Sequence, residues 1–379
     1  MEELVNMIEC IEDIRQESKV RYPIKEIVVI VLCATLANED EWEYMEIWAN
    51  ENKSLLQEYL ELKNGIPSHD TLRRVMGMIN PIYIQEAQNK WNEMLNTDEG
   101  EKLKKLICID GKTMRGNTRK GSKPNHIVSA WSKNDGFCLG QKATNDKSNE
   151  ITVIPQLLDM INIKNSIITI DAMGTQREIV KKIRSKKADY VLALKSNQNR
   201  LFNDVSLYFQ DNENLEQIKK SGNYLKSIEK NHGMADIREY YQTDDISWID
   251  NHEIDTNSKK KVEKWKNLKS IGMVVHKHGN ICEIRYFISS LLPNIEIFAD
   301  SIRGHWSVES MHWQLDVTFK EDSNKTLDKI ASQNQNIIRK WCLSILKIAK
   351  IGKPKQSMRG KRKIISYNPM KYLDYVLSI

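Results

Sequence analysis

Two aspartates stand at the ends of short apolar runs. Leu106-Ile107-Cys108-Ile109 leads into Asp110, and Ser166-Ile167-Ile168-Thr169-Ile170 leads into Asp171. An acid has no place inside a buried strand unless it is paired or binds a metal. Gly111 bends the chain after Asp110, and Lys112 and Arg115 follow at once. A carboxylate flanked by cations at a strand end could hold a hard metal ion beside a phosphate. On this stretch alone an ordinary turn residue at Asp110 is the favoured reading. The recurrence of the pattern at Asp171 favours the first reading. Two strands would then each deliver a carboxylate at the C-terminal end of one sheet, where function in open α/β sheets gathers. A third acid would complete a site for two divalent metals.

A candidate third acid lies in Ser301 to Asp322. At a helical period Val308, Met311 and Leu315 share one face, a plausible core contact. Trp306, Glu309, Trp313 and Asp316 share roughly the opposite one, with His305 and His312 at its border. A Glu between two tryptophans is not a typical solvated face. His305, Glu309 and His312 could be read as zinc ligands. Their order matches no HExxH arrangement, however, and the strand-end aspartates prefer Mg²⁺ or Mn²⁺. An amphipathic core helix with a satisfied Glu is the alternative reading.

The elements that must position these acids read as a mixed sheet with helices. After the Asp110 strand, Asn134-Asp135-Gly136 joins two strands, His126 to Lys133 and Phe137 to Thr144, as a hairpin. Thr152 can cap a helix running to about Ile161, with Pro155 in its first turn. The Asp171 strand follows, and Thr175-Gln176-Arg177-Glu178 reads as a capping box opening the next helix. Asp189 to Lys195 is a further buried strand. From about 198 to 290 the character shifts to strand-like runs, a β-rich insertion in which Trp248 and Trp265 fall in or near loops. They suit packing, although an exposed Trp could stack on a nucleic-acid base.

Residues 1 to about 98 look all-helical. Ile24 to Leu36 is hydrophobic throughout. Ser68 caps a short helix that carries Arg73 and Arg74, which fits either a DNA-reading helix or a plain bundle. Of 379 residues, 40% are hydrophobic, enough for two or three cored domains. The longest apolar run, Ile27 to Ala37, is too short to span a bilayer. No signal peptide is evident. Six scattered cysteines without a CxxC pair suggest reduced thiols in a cytoplasm. The net charge of +6 is unevenly spread: 329–371 holds twelve Lys or Arg and no acid, leaving about −6 (6 minus 12) for the remainder. A basic tail on an acidic body suggests a polyanion partner, or simply a solvated tail.

Six phrases of this chain resemble the DDE transposases of bacterial insertion sequences, most closely the H-repeat-associated group found beside Rhs elements. They are GIPSHDTLRRV (65–75), IDGKTMRG (109–116), SNEITVIPQLL (148–158), ITIDAMGTQ (168–176), YVLALKSNQ (190–198) and RGHWSVESMHWQLDVTFKED (303–322). The resemblance implies an α/β fold with an RNase H-like catalytic core spanning 99–379, interrupted by the β-rich insertion and preceded by a helical DNA-binding domain, 1–98. It assigns the metal-binding triad to Asp110, Asp171 and Glu309. Two Mg²⁺ or Mn²⁺ ions would serve DNA cleavage and strand transfer. Lys112, Arg115, Arg303 and His305 would meet DNA at the site, with Arg73, Arg74 and Trp248 as further contacts. It also implies a homodimer on double-stranded DNA, in the bacterial cytoplasm near the nucleoid, with no membrane. Ser310 stands where the family commonly has Asn, and Met234 where it has Arg. A related Tyr-Arg-Glu-Lys signature would fall on Ile302, His305, Glu309 and Asp316, and is not met. A catalytically inactive DNA-binding remnant and a metal-dependent nuclease are the competing functions.

Overall fold

Apolar side chains on every side of one helix place that helix inside a bundle. Ile24–Leu36 (α2) is buried at all but one of its positions. α1 (Glu2–Glu9), α3 (Trp42–Glu51) and α5 (His69–Met76) pack on it, and the short α4 (Lys53–Leu56) and α6 (Pro81–Leu95) complete the N-terminal helices. Ser68 caps α5 by accepting from the Thr71 N–H at 3.4 Å. The computed structural model describes residues 2–9, 11–95, 104–118, 123–144, 149–231, 234–249 and 264–378. The polar link at 97–101, most of the loop at 145–149 and the His232-Gly233 pair lie outside them. Among the described residues no helix is long and apolar enough to cross a membrane.

The sheet begins with β1 (Leu106–Thr113), β2 (His126–Ser132) and β3 (Phe137–Ala143), an antiparallel meander. Next come α7 (Glu150–Met160), β4 (Ile167–Ile170), α8 (Arg177–Ser185) and β5 (Asp189–Leu194). β4 lies parallel to β1, and β5 parallel to β4. The order β3-β2-β1-β4-β5 is that of an RNase H-like core. Two caps differ from expectation. Asn149, not Thr152, caps α7, accepting from the Thr152 N–H at 3.3 Å. Thr175 opens no capping box: α8 starts two residues later, and the Thr175 hydroxyl donates to the Ala193 carbonyl at 2.6 Å.

The β-rich insertion is not a detached module. After α9 (Asn199–Gln210) and α10 (Asn212–Lys220) come β6 (Tyr224–Asn231), β7 (Met234–Thr243), β8 (Ser270–His278) and β9 (Ile281–Ser289). β9 pairs antiparallel with β5, Val191 facing Ser289, so one nine-stranded sheet results. α11 (Ile295–Val317) then crosses the sheet, followed by α12 (Lys329–Ile348), α13 (Met358–Tyr367) and α14 (Pro369–Leu377). α11 begins earlier than the 301–322 pattern indicated, capped by Asn294.

The basic stretch 329–371 is not a solvated tail. It forms α12 and α13, and α12 packs against α2, α5 and α6 and against β3. Arg339, Lys340, Lys361 and Arg362 are buried. Lys340 Nζ donates to Ser129 Oγ at 2.7 Å, and Lys361 Nζ to the Leu346 carbonyl at 2.6 Å. Lys340, Lys361 and Arg362 satisfy interior oxygens, while Arg339 only faces Glu321 at 3.7 Å; a charge count along the sequence cannot distinguish that from a solvated run.

Candidate active site

Alternation along a strand decides which way each acid points. Leu106 and Cys108 join the core under α11 and the helical bundle, whereas Ile107 and Ile109 join the core under α7 and α8. Asp110 therefore belongs to the α11 face. Cys108 confirms the side, its thiol donating to the Gly304 carbonyl of α11 at 3.2 Å. On β4, Thr169 lies on the same face, with Oγ1 3.0 Å from His305 Nδ1 of α11. Asp171, two residues further in extended backbone, follows it. The register pairs Ile109 with Ile170, so the two aspartates sit on adjoining strands with backbones about 4.8 Å apart.

α11 is held down by Val308, Met311 and Leu315, exposed by 0%, 2% and 0%, each contributing about 2 kcal/mol through burial. Glu309 stands exposed beside this seam. Burial pushes the Asp110 carboxyl up to about 7, against the hydrogen bond from the Gly111 N–H. The charges of Glu150, Asp171 and Glu309 push it the same way. Burial also raises Asp171, opposed by the Gly174 N–H, which donates to Oδ1 at 3.2 Å. The only ion-pair partner of these three acids among the described residues is His312, whose Nδ1 lies 3.5 Å from Asp110 Oδ2. Burial lowers His312 to about 3, leaving that ring neutral at ordinary pH.

Carboxylate oxygens without a cationic side-chain partner suit a hard divalent cation. No three of His, Cys, Asp or Glu among the described residues are grouped tightly enough to hold an ion as they stand. Closing on an ion would draw the carboxyl groups together. His305, Glu309 and His312 are among the described residues and form no such group either.

Residues 101–345 match the family described as Transposase DDE domain, and 5–92 match a family described as DDE_Tnp_1-associated. This chain is a DDE transposase family member. "Putative transposase YncI" of Escherichia coli O157:H7 is 35% identical over 389 aligned positions, covering 100% of this chain and 95% of that protein. "H repeat-associated putative transposase YhhI" of Escherichia coli K12 is 33% identical, covering 100% of this chain and 98% of that one. The cryo-EM structure of the piggyBac transposase synaptic complex with hairpin DNA aligns with a TM-score of 0.38 at 11% identity, over 100% of this chain and 78% of that one. That likeness is too weak to carry an argument.

Within this DDE family member, the cations expected at DNA stand in several environments. Lys112 faces carboxylates: its Nζ lies 2.7 Å from Asp316, 3.0 Å from Asp322 and 3.4 Å from Glu321. Arg303 forks onto Glu229 of β6. His305 is half-buried, and desolvation, then the charge of Arg285, lowers it to about 4. Trp248 stacks on Tyr208 at 5.6 Å, and its Nε1 donates to the Asp245 carbonyl at 2.9 Å, so packing claims one face of its ring. Trp265 is buried beneath Arg177. Arg115 and Arg74 are exposed, as is Arg73, which pairs with Asp70 at 2.8 Å.

Sequence reasoning missed Glu150, the first residue of α7. Its Oε1 takes a hydrogen bond with His126 Nε2 at 2.7 Å, and His126 Nδ1 meets Thr113 Oγ1 at 2.8 Å. A Cβ on Gly111 would come within 2.2 Å of Glu150 Oε1. Glycine at that position therefore lets this fourth carboxylate approach the end of β1. Glu150 bears on both Asp110 and Asp171. The only signal for it was its place in the SNEITVIPQLL phrase.

His305 gives a pH prediction. Its folded pKa is depressed to about 4, below the ordinary value of about 6.5. Between those values the unfolded chain binds the extra proton, so this group favours unfolding progressively as pH falls from about 6.5 to about 4. His305→Asn should remove up to ~3 kcal/mol of acid-induced destabilisation across that window. Urea melts of both proteins at pH 7 and pH 4.5 check this; parallel losses in the two would refute a depressed pKa for His305.

Proposed function

We propose that the protein is a transposase that cuts and rejoins the DNA ends of an insertion sequence by metal-dependent phosphoryl transfer. The observation that carries this reading is the placement of Asp110 and Asp171 on adjoining strands under the helix of Glu309, in a chain of the DDE family. In this reading Asp110, Asp171 and Glu309 hold two Mg²⁺ or Mn²⁺ ions. When bound, such ions supply Lewis-acid stabilisation of the attacking and leaving oxygens. The chain's own part is to hold three carboxylates from two strands and one helix around the scissile phosphate. The low polarity that burial creates about Asp110 strengthens their pull on a cation.

Double-stranded DNA is the proposed partner, bound at element ends and target by a homodimer in the cytoplasm. Residues 1–98 would recognise the ends through the exposed Arg73 and Arg74, and Arg115 would meet backbone near the acids. Sequence-independent affinity would come from the exposed part of the basic stretch, including Lys350, Lys353, Lys355, Arg359 and Lys363. Changing those five to Glu should weaken binding to all sequences and lower the salt slope by about 0.9 for each phosphate no longer neutralised. An unchanged slope would remove this surface from the interface. Truncation is unsuitable as a test of this stretch, because it also deletes Arg362 from the interior.

The activity test uses purified protein, Mg²⁺ and a plasmid carrying the inverted repeats that flank the gene. The expected result is 3′-end cleavage followed by joining to a second DNA. Cleavage without joining would indicate a nuclease, and binding without cleavage an inactive remnant.

A further inference from the structure

Asp110 and Lys112 lie on the same face of β1, two residues or about 7 Å apart along the strand. Glu309 and Asp316 lie on one stripe of α11, seven residues or about 10.5 Å apart along the axis. The strand and helix therefore face each other at two levels, or rungs. One is the carboxylate pair Asp110 and Glu309, which repel. The other is Lys112 Nζ on Asp316 Oδ1 at 2.7 Å. Lys112 also reaches Asp322 at 3.0 Å and Glu321 at 3.4 Å, just past the end of α11. Its side chain is 10% exposed, and that of Glu321 is 0% exposed.

The same end of β1 is clamped a second time. The Arg115 N–H donates to Asp322 Oδ1 at 3.2 Å. A Cβ on Gly116 would fall 2.3 Å from the Asn324 carbonyl oxygen, so only glycine permits this approach. Glu321 carries the link onward, its Oε1 accepting from Asn336 Nδ2 of α12 at 2.5 Å, with Arg339 Nη1 at 3.7 Å. A lysine so enclosed cannot reach a DNA phosphate without abandoning three acids.

We propose that Lys112 is a positioning residue whose ion pair with Asp316 sets the register of α11 against β1, and so where Glu309 stands relative to Asp110. This rests on the reading of Asp110, Asp171 and Glu309 as cation-binding carboxylates. Two like-charged groups do not hold each other in place; an opposite-charge rung two helical turns away does. The acid at 316 is what makes the rung, because a cation there would repel Lys112.

The test compares Lys112→Met, Asp316→Asn and Glu309→Gln in the full chain. Mn²⁺ binding is read by calorimetry, and binding to a mixed-sequence DNA duplex is read across a salt series. Lys112→Met and Asp316→Asn should each weaken Mn²⁺ binding by ~10-fold or more, as loss of groups that orient metal ligands does. The DNA salt slope should stay unchanged. If Lys112→Met fails to fold, Asp316→Asn, a partly exposed site, carries the test alone. A lower salt slope in Lys112→Met with unchanged Mn²⁺ affinity would overturn the proposal and make Lys112 a phosphate contact. Unchanged Mn²⁺ affinity in Asp316→Asn would overturn the rung. If wild type binds Mn²⁺ no better than Glu309→Gln, the cation reading itself fails, and the positioning role fails with it.

Discussion

Glu309→Gln is expected to stop strand cleavage, lowering its rate by on the order of 10³ or more. The amide keeps the shape of the side chain and removes the charge that a divalent cation needs. Glu309 is exposed, so its replacement should move stability by no more than about 0.5 kcal/mol. DNA binding should also survive, since the change removes an acid facing a polyanion. A gel assay with end-labelled DNA and Mg²⁺, paired with a thermal melt, separates chemistry from folding. Cleavage at an undiminished rate by a folded Glu309→Gln protein would remove Glu309 from the site. Asp316 and Glu321 are poor substitutes for it, because Lys112 already engages both.

Arg362→Ala should cost about 3–5 kcal/mol of stability, the range for leaving a buried charge unpaired. Arg362 is 0% exposed. Its Nη2 donates to Asp40 at 2.7 Å and to the Thr35 carbonyl at 2.7 Å. Its Nη1 reaches the Thr318 carbonyl at the end of α11, and the guanidinium lies 4.3 Å over the Phe319 ring. One side chain thus ties α13 to the helical bundle and to the end of α11. Truncation to Ala would leave the Asp40 carboxylate, 6% exposed, without its partner. Lys363, the next residue, is exposed, and Lys363→Ala should change stability by about 0.5 kcal/mol or less. Urea unfolding of the pair measures the contrast. Equal small losses would mean that the basic run is a solvated surface after all.

The strands and their acids were legible because burial writes itself into local composition. Leu106 to Ile109 is apolar at every position because α11 covers one face of β1 while α7 and α8 cover the other. The Asn134-Asp135-Gly136 turn fixed the β2–β3 hairpin by local chemistry alone. Val308, Met311 and Leu315 revealed the buried stripe of α11 through their spacing. Caps were less legible: Asn149 and Thr152 are both competent capping residues, and the helix starts at the first of them.

What the sequence by itself determined is thus the period of each element, the mixed sheet, and the two strand ends that carry Asp110 and Asp171. The tertiary structure alone decided the partner of each charge. Lys112 and Arg362 read as free cations because their acids lie far along the chain, at 316–322 and at 40. His305 read as a border residue, and only the closeness of β4 desolvated its ring and lowered its pKa. Glu150 carried no signal of its own until Gly111 left room for it at the end of β1. The physical reason is range. Periodicity and turn chemistry act over a few residues and are visible in any window of sequence, whereas an ion pair is set by distances in space between segments that only the completed sheet brings together.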